Sequence, residues 1–219
     1  MNDRPSSSAA PWRPLLRSRL AGTRPGVPER DSLAGVPFAR LDGVRDLLPA
    51  DPIRAAVLVP VIDRPEGPTL LFIERAAALR QHAGQIAFPG GRVDATDADL
   101  AATALREAQE EVGIPASAVE VVGYLGDHYV LTGYRITPVV GLLASPPVLS
   151  LAPGEVADCF EVPLTYAFDP ANHVARTRRV GGVDAQFFDI PFGRHRIWGA
   201  TAGMVLNLAR ALGLRGEHE

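Results

Sequence analysis

Residues 106–114 read Arg-Glu-Ala-Gln-Glu-Glu-Val-Gly-Ile, downstream of the turn sequence Phe88-Pro-Gly-Gly-Arg92. A helix through this stretch sets Glu107, Glu110 and Glu111 on one face, at spacings i, i+3 and i+4. Leu100, Ala104, Leu105, Ala108 and Val112 form an apolar stripe along it, which commits the helix to packing on a larger apolar surface. Gly113 supplies a C-terminal stop. Thr96 is the expected N-cap, with Asp99 three residues on in a box-like arrangement. The predicted helix runs over 98–112.

Three carboxylates this close repel each other. A solvated acidic face is the common explanation for such a run. The Gly-Gly turn before the helix and the glycine after it favour another: hard oxygen ligands gathered for a divalent cation, Mg²⁺ or Mn²⁺. Glycine at 90 or 91 has no side chain to obstruct a close approach, so its carbonyl can come near such an ion. Arg106 is expected to be structural, pairing with Asp97 or Glu110 and fixing the helix against the preceding loop.

The rest of the chain supplies a sheet. Segments 54–63 and 69–74 read as a hairpin around Arg64-Pro-Glu-Gly-Pro68. Residues 76–85 read as a loop or short helix, and 86–88 as a brief strand. Segments 119–124 and 134–143 read as strands joined by a loop centred on 127–133. A strand over 156–162 leads into the short segment 163–168. A second hairpin is expected over 174–180 and 185–190, and a final helix over 200–212. There is no regular strand–helix alternation. The expected architecture is therefore α/β, a mixed sheet with helices on its faces, and not a doubly wound sheet. A short helix over 12–20, with Leu15, Leu16 and Leu20 on one side, precedes a Gly- and Pro-rich stretch. Residues 1–50 are expected to be a partly disordered tail, 51–213 the folded domain, and 214–219 a C-terminal tail.

Composition narrows the function. The net charge of −3 carries no basic excess for nucleic acid or a membrane surface. All 22 basic residues are arginine. Cys159 is the only cysteine, so no internal disulfide can form, and it is expected to pack in the core. The apolar run 55–62 is too short to span a bilayer. A cytoplasmic, membrane-free protein is expected, and the tail leaves room for a homodimer.

Gly91, Asp97, Arg106, Glu107, Ala108, Glu110, Glu111, Gly113 and Ile114 together resemble the Nudix box. Two departures show: Asp97 stands where Glu is usual, and the gap to Arg106 is one residue longer than the common spacing. The resemblance implies an α/β/α sandwich with a mixed sheet and metal-dependent hydrolysis of a diphosphate. It implies Glu107 and Glu111 as direct metal ligands, with the Gly91 carbonyl nearby. Glu110 would be a further ligand or would position a metal-bound water. The general base stays open between Glu111 and Glu155, the latter because related hydrolases often use an acidic residue from a later loop.

Upstream, Arg75-Ala76, Arg80, Gly84 and Phe88-Pro-Gly-Gly91 are similar to the signature of the coenzyme A pyrophosphatase branch of Nudix hydrolases. One departure is Ile73, where that branch usually has Thr. Gly133-Tyr-Arg-Ile-Thr-Pro-Val-Val-Gly141 and Ile197-Trp-Gly-Ala-Thr-Ala-Gly203 add to the resemblance, which runs from about Arg54 to Leu212. It implies coenzyme A or acyl-CoA as substrate, with adenosine 3′,5′-bisphosphate and (acyl-)4′-phosphopantetheine as products. Substrate contacts are expected from Arg75 and Arg80, because arginine grips phosphate bidentately. His128 is a candidate phosphate or base contact, and Tyr134 a candidate stacking residue. Two rival readings remain at this stage: a pyrophosphatase for another nucleoside diphosphate derivative such as ADP-ribose, and a catalytically silent domain that only binds a nucleotide.

Overall fold

The chain is described here by a computed structural model that covers residues 12–27, 32–33, 36–37, 48–79, 82–180 and 183–214. The expectation for residues 1–10, that for Arg80 and most of that for the C-terminal tail lie outside this set. The helices are α1 (Trp12–Leu20), α2 (Leu100–Val112), α3 (Leu164–Ala167) and α4 (Gly199–Ala211). The strands are β1 (Ser32–Leu33), β2 (Val36–Pro37), β3 (Ile53–Ile62), β4 (Thr69–Arg75), β5 (Ile86–Ala87), β6 (Gly90–Arg92), β7 (Glu120–Tyr124), β8 (His128–Val130), β9 (Tyr134–Leu143), β10 (Val156–Pro163), β11 (Val174–Val180), β12 (Val183–Phe192) and β13 (His195–Trp198).

β3 is central because both its faces are buried. Parallel β9 flanks one edge, in register from Ile53↔Tyr134 to Ile62↔Leu143. On the other edge, β6 pairs with its first half and β4 with its last residues, both antiparallel. The order β10-β4-β3-β9-β8-β1-β2 makes a mixed sheet, and β11-β12-β13 a smaller one. A strand covered on both sides must be apolar at nearly every position, and Ala55–Ile62 is such a run.

Side-chain alternation sorts the core into two layers. Ala56, Leu58, Leu71, Ile73 and Val139 point to one face, where α2 lays down Ala104, Ala108 and Val112. Val59, Val61, Leu70, Phe72 and Val140 point to the other, covered by Leu16 and Leu20 of α1 and Val205, Leu208 and Ala209 of α4. Each fully buried Leu, Val, Ile or Phe contributes about 1.5–3 kcal/mol, an upper bound against an extended unfolded chain. This is the expected α/β/α arrangement. Phe72 stacks on Phe88 with centroids 4.7 Å apart and on Phe160 at 5.6 Å. The turn that follows Phe88 is thereby anchored in the core.

Two expectations need correcting. The N-cap of α2 is Asp99, whose carboxylate accepts from the Ala102 N–H. Thr96 instead donates from both its N–H and its hydroxyl to Asp94. Part of the expected 127–133 loop is strand: β8 pairs with β9 as the second arm of a hairpin, with parallel β1 on its far side. Cys159, half-buried, packs against the core on the α2 side, in keeping with its expected place. Among the described residues no helix is long and apolar enough to cross a membrane.

The placement of β8 overturns a substrate-contacting role for His128. Its side chain is fully buried, with Asn207 Nδ2 3.0 Å from its Nε2 and the Ser32 hydroxyl at 3.4 Å. Burial, helped by the nearby Arg210 charge, pushes its pKa down to about 3, so the ring stays neutral in the fold. Unfolding restores an ordinary value near 6.5. Between those values the unfolded chain binds more protons, so stability is lost as pH falls from about 6.5 toward 3. The slope from this residue is at most about 1.4 kcal/mol per pH unit. His128→Gln removes the titration, and its melting temperature should fall less steeply with acid than that of the wild type between pH 6.5 and 4. Equal slopes would show that His128 is not the group responsible.

Candidate active site

Alternation along β6 divides its residues between the two faces of the sheet. Gly91 lies opposite Ala56 and looks toward α2. A Cβ there would sit 2.4 Å from Cδ and Oε1 of Glu107, so the Glu107 carboxylate occupies the space where a side chain would be. Gly90 is closed in differently. A Cβ on it would meet the Ala56 carbonyl oxygen at 2.4 Å and Val57 Cα at 2.6 Å, both backbone. Its N–H donates to Glu111 Oε2 at 2.9 Å. The two glycines thus let the turn press against β3 and against two carboxylates at once.

The three glutamates differ in setting. Glu111 is 3% exposed. The Glu107 side chain is 17% and the Glu110 side chain 56% exposed. Burial pushes the Glu111 carboxyl up to about 7, and the charges of Glu107 and Glu155 push the same way, against the Gly90 hydrogen bond and Arg75. Burial also raises Glu107, against Arg106. Glu111 Oε1 meets Arg75 Nη1 only at 3.4 Å, and Arg75 Nε, though buried, has no partner among the described residues. Glu155 is an exposed residue brought in by its loop. The N–H groups of Ser150 and Ala152 bond the carbonyls of Val112 and Glu111, and the Ala76 N–H bonds the Glu155 carbonyl.

Arg106 ties the helix to the preceding loop. It donates to both oxygens of Asp97 at 2.9 and 3.0 Å, to Glu107 at 2.9 Å, to Glu110 at 3.0 Å and to the Arg92 carbonyl at 3.1 Å. Asp97 is only 4% exposed at its side chain, and Arg106 holds its carboxyl far below the usual range. Breaking a fully buried pair costs about 3–5 kcal/mol. Arg106 is partly solvated, so Arg106→Ala should cost roughly 2–4 kcal/mol in urea unfolding. Asp97→Asn, which keeps hydrogen-bonding capacity, should cost less. A loss below about 0.5 kcal/mol, the range of an ordinary surface change, would overturn this account.

On the sheet face opposite α2 a cleft of about 590 Å³ opens onto the Gly90-Gly91 turn. Val57, Ile86, Phe88, Ile136 and Trp198 make most of its wall apolar, while Arg75, Arg92 and Tyr134 supply polar points.

A NUDIX domain model matches residues 52–180. The chain belongs to the Nudix hydrolase family. An uncharacterized Nudix hydrolase NudL of Cronobacter sakazakii is 46% identical over 160 residues, covering 73% of this chain and 83% of that protein. Its namesake in Escherichia coli O7:K1 is 43% identical over 162 residues, covering 74% and 84%. Among solved structures, a MutT/nudix family protein from Enterococcus faecalis aligns with a TM-score of 0.50 at 16% identity, covering 83% of this chain and 74% of that one. That likeness concerns the fold alone.

Nudix hydrolases work with divalent metal ions, and the residues here fit one. Glu111 is a buried and Glu107 a half-buried carboxylate, and in both the effect of burial exceeds that of the neighbouring arginine, so both pKa values rise. The space beside Gly91 admits the Glu107 carboxylate where any Cβ would exclude it. Arg106 spends its donors on Asp97 and on single oxygens of Glu107 and Glu110, which orients those carboxylates without covering them. A separate group, Glu74, Asp158 and His195, also brings potential ligand atoms within 4.8 Å of one another. It lies on β4, β10 and β13, and Arg194 already donates to Asp158 Oδ2 at 2.6 Å. The His195 ring is stacked 3.7 Å from Phe160 between the two carboxylates. It is a cluster separate from the Nudix box.

Of the residues singled out from sequence, Glu107, Glu111, Gly91, Arg106 and Asp97 meet at one place, and Glu155 is near enough for its charge to be felt there. Arg75 and Tyr134 line the cleft. Glu110 sits at the solvent edge. His82 and Arg92, both on the cleft wall, were not anticipated. His82 has a left-handed backbone, φ 57°, and its Nδ1 lies 3.0 Å from Gln85 Oε1. The cleft-facing position of Arg92 follows from the register of β6, which nothing in the local sequence specifies.

Proposed function

We propose that this protein hydrolyses the diphosphate of coenzyme A or an acyl-CoA, giving adenosine 3′,5′-bisphosphate and 4′-phosphopantetheine or its acyl form. The observation that carries this reading is the cleft, largely apolar and about 590 Å³, that meets the carboxylate site at Gly90-Gly91. Such a wall suits a long pantetheine or acyl arm attached to a diphosphate. The spacing from Arg75 through Gly84 to Gly91 supports the same substrate.

Glu107 and Glu111, with the Gly91 carbonyl, would hold the cation, and Glu110 would contribute from the edge. Once bound, the metal would supply charge neutralisation at the diphosphate and a template for in-line attack. Arg75, loosely paired with Glu111, turns its free donors to a phosphate oxygen. Glu155, more solvated than Glu111, takes a proton from the attacking water. The water oxygen bonds to one phosphorus, the bridging P–O bond breaks, and the departing phosphate carries the electron pair. Residues 51–213 carry the hydrolase chemistry, and α1, whose Leu16 and Leu20 lie in the core, is packed on the same fold.

Incubation with coenzyme A and millimolar Mg²⁺ or Mn²⁺ should yield both products by mass, and a chelator should abolish them. If coenzyme A survives while ADP-ribose or another nucleoside diphosphate derivative is cut, the substrate assignment is wrong. If nothing is cut, the domain is a silent binder.

A further inference from the structure

We propose that Arg92, mounted on Tyr134, binds a phosphate that the substrate carries apart from its diphosphate, and so selects nucleotides phosphorylated on the ribose. This rests on the coenzyme A reading and refines it.

Register decides which way Arg92 points. Arg92 pairs with Ala55, and Gly90 with Val57. Alternation puts Arg92 and Gly90 on the same sheet face, opposite α2. Ala55, Val57, Tyr134 and Ile136 line the cleft with it. The strand rise of about 3.3 Å per residue sets Arg92 roughly 7 Å from Gly90 along the cleft floor.

Its partners are unusual for a charged group in a cleft. Nε and Nη2 donate to the phenol oxygen of Tyr134 at 3.0 and 2.5 Å, and the guanidinium lies 5.3 Å from the ring centroid. Neither contact neutralises its charge, and no carboxylate pairs with it among the described residues. Arg75, the other arginine among the described lining residues, faces Glu111 beside the Nudix-box carboxylates. The backbone under Arg92 is fixed, since Arg106 Nη2 donates to its carbonyl at 3.1 Å. The result is a stationed cation with a free edge, supported on an aromatic face.

Among the described residues the cleft therefore has two arginines, set apart from each other. One is beside the carboxylates, where the diphosphate reacts. The other is further along β6. A ligand that uses both has two separate anionic groups joined by a short uncharged spacer. A nucleoside diphosphate with a ribose phosphate has that form, with the ribose as spacer. A plain nucleoside diphosphate sugar lacks the second group. This orients the adenosine end over Arg92 and Tyr134 and sends the apolar arm toward Ile86, Phe88 and Trp198.

The test compares coenzyme A with dephospho-coenzyme A, which lacks only the ribose phosphate, in wild type, Arg92→Ala and Arg92→Lys. The readout is the ratio of kcat/KM for the two substrates. In Arg92→Ala the ratio should fall at least tenfold, carried by KM for coenzyme A, and Arg92→Lys should restore part of it. A general structural defect would lower both substrates and leave the ratio unchanged, and that result overturns the inference. Calorimetric binding of adenosine 3′,5′-bisphosphate against 5′-AMP gives a readout independent of turnover. If wild type does not cut coenzyme A yet prefers the bisphosphate through Arg92, the inference stands and the substrate assignment falls. If coenzyme A is cut with an unaltered ratio in Arg92→Ala, the assignment stands and the inference falls.

Discussion

Glu111→Gln should lower turnover by roughly 10²–10⁴-fold while leaving the fold intact. The substitution keeps size and shape, and the amide oxygen can still accept the Gly90 N–H that now reaches Glu111 Oε2 at 2.9 Å. What it removes is one negative charge at the most buried of the three glutamates. In metal-free protein that charge is a burden, since burial, with the charges of Glu107 and Glu155 beside it, pushes the carboxyl up to about 7. Metal-free Glu111→Gln should accordingly melt no lower than wild type. With millimolar Mg²⁺ or Mn²⁺ the two should separate: wild type gains a metal-dependent rise in Tm by linkage, and the variant loses most of it. Full activity with an undiminished metal-dependent shift would show that Glu111 neither holds the ion nor serves the reaction. A large loss of Tm in both conditions would mark a purely structural carboxylate.

This contrast explains why the site was partly legible in the sequence. A buried carboxylate cluster is costly, and the spacing of Glu107, Glu110 and Glu111 on an otherwise apolar helix exposes that cost in one dimension. Gly113 is equally readable, because its φ of 75° is one that glycine adopts freely. Other features depend on contacts between distant segments. Thr96 and Asp99 are both good caps locally, and the choice fell to Asp99 only because Thr96 is used up by the Asp94 turn. His128 reads as a loop residue over three positions too short to show alternation, and β9 and β1 make it a buried strand residue. Arg92 looks like any turn arginine until the pairing with Ala55 decides which face it takes. Helix periodicity and glycine chemistry are local properties. Register and the capture of Glu155 by the bonds of residues 150–155 are not.

Gly90→Ala and Gly91→Ala should both silence the enzyme, for different reasons. At Gly90 the added methyl would lie 2.4 Å from the Ala56 carbonyl oxygen and 2.6 Å from Val57 Cα. Both are backbone atoms of the central strand, so β6 itself must move off β3, and the Pro89 carbonyl bond to the Leu58 N–H and the Gly90 bond to Glu111 are strained or lost. A loss of about 2–4 kcal/mol is expected, within the range for overpacking with broken hydrogen bonds. At Gly91 the three atoms nearest the added methyl all belong to the Glu107 carboxylate, the nearest at 2.4 Å. That group ends a flexible side chain and can swing outward toward solvent at a cost of about 1 kcal/mol or less. The swing takes it from the position in which Arg106 holds it and from the space beside the glycine carbonyl. Gly91→Ala should therefore keep its urea midpoint within a small margin, lose its metal-dependent rise in Tm, and drop at least about 10²-fold in turnover. Equal destabilisation by the two substitutions would mean that both glycines serve only the close packing of the turn. A stable Gly91→Ala without metal response assigns the second glycine to the carboxylate site and the first to the sheet.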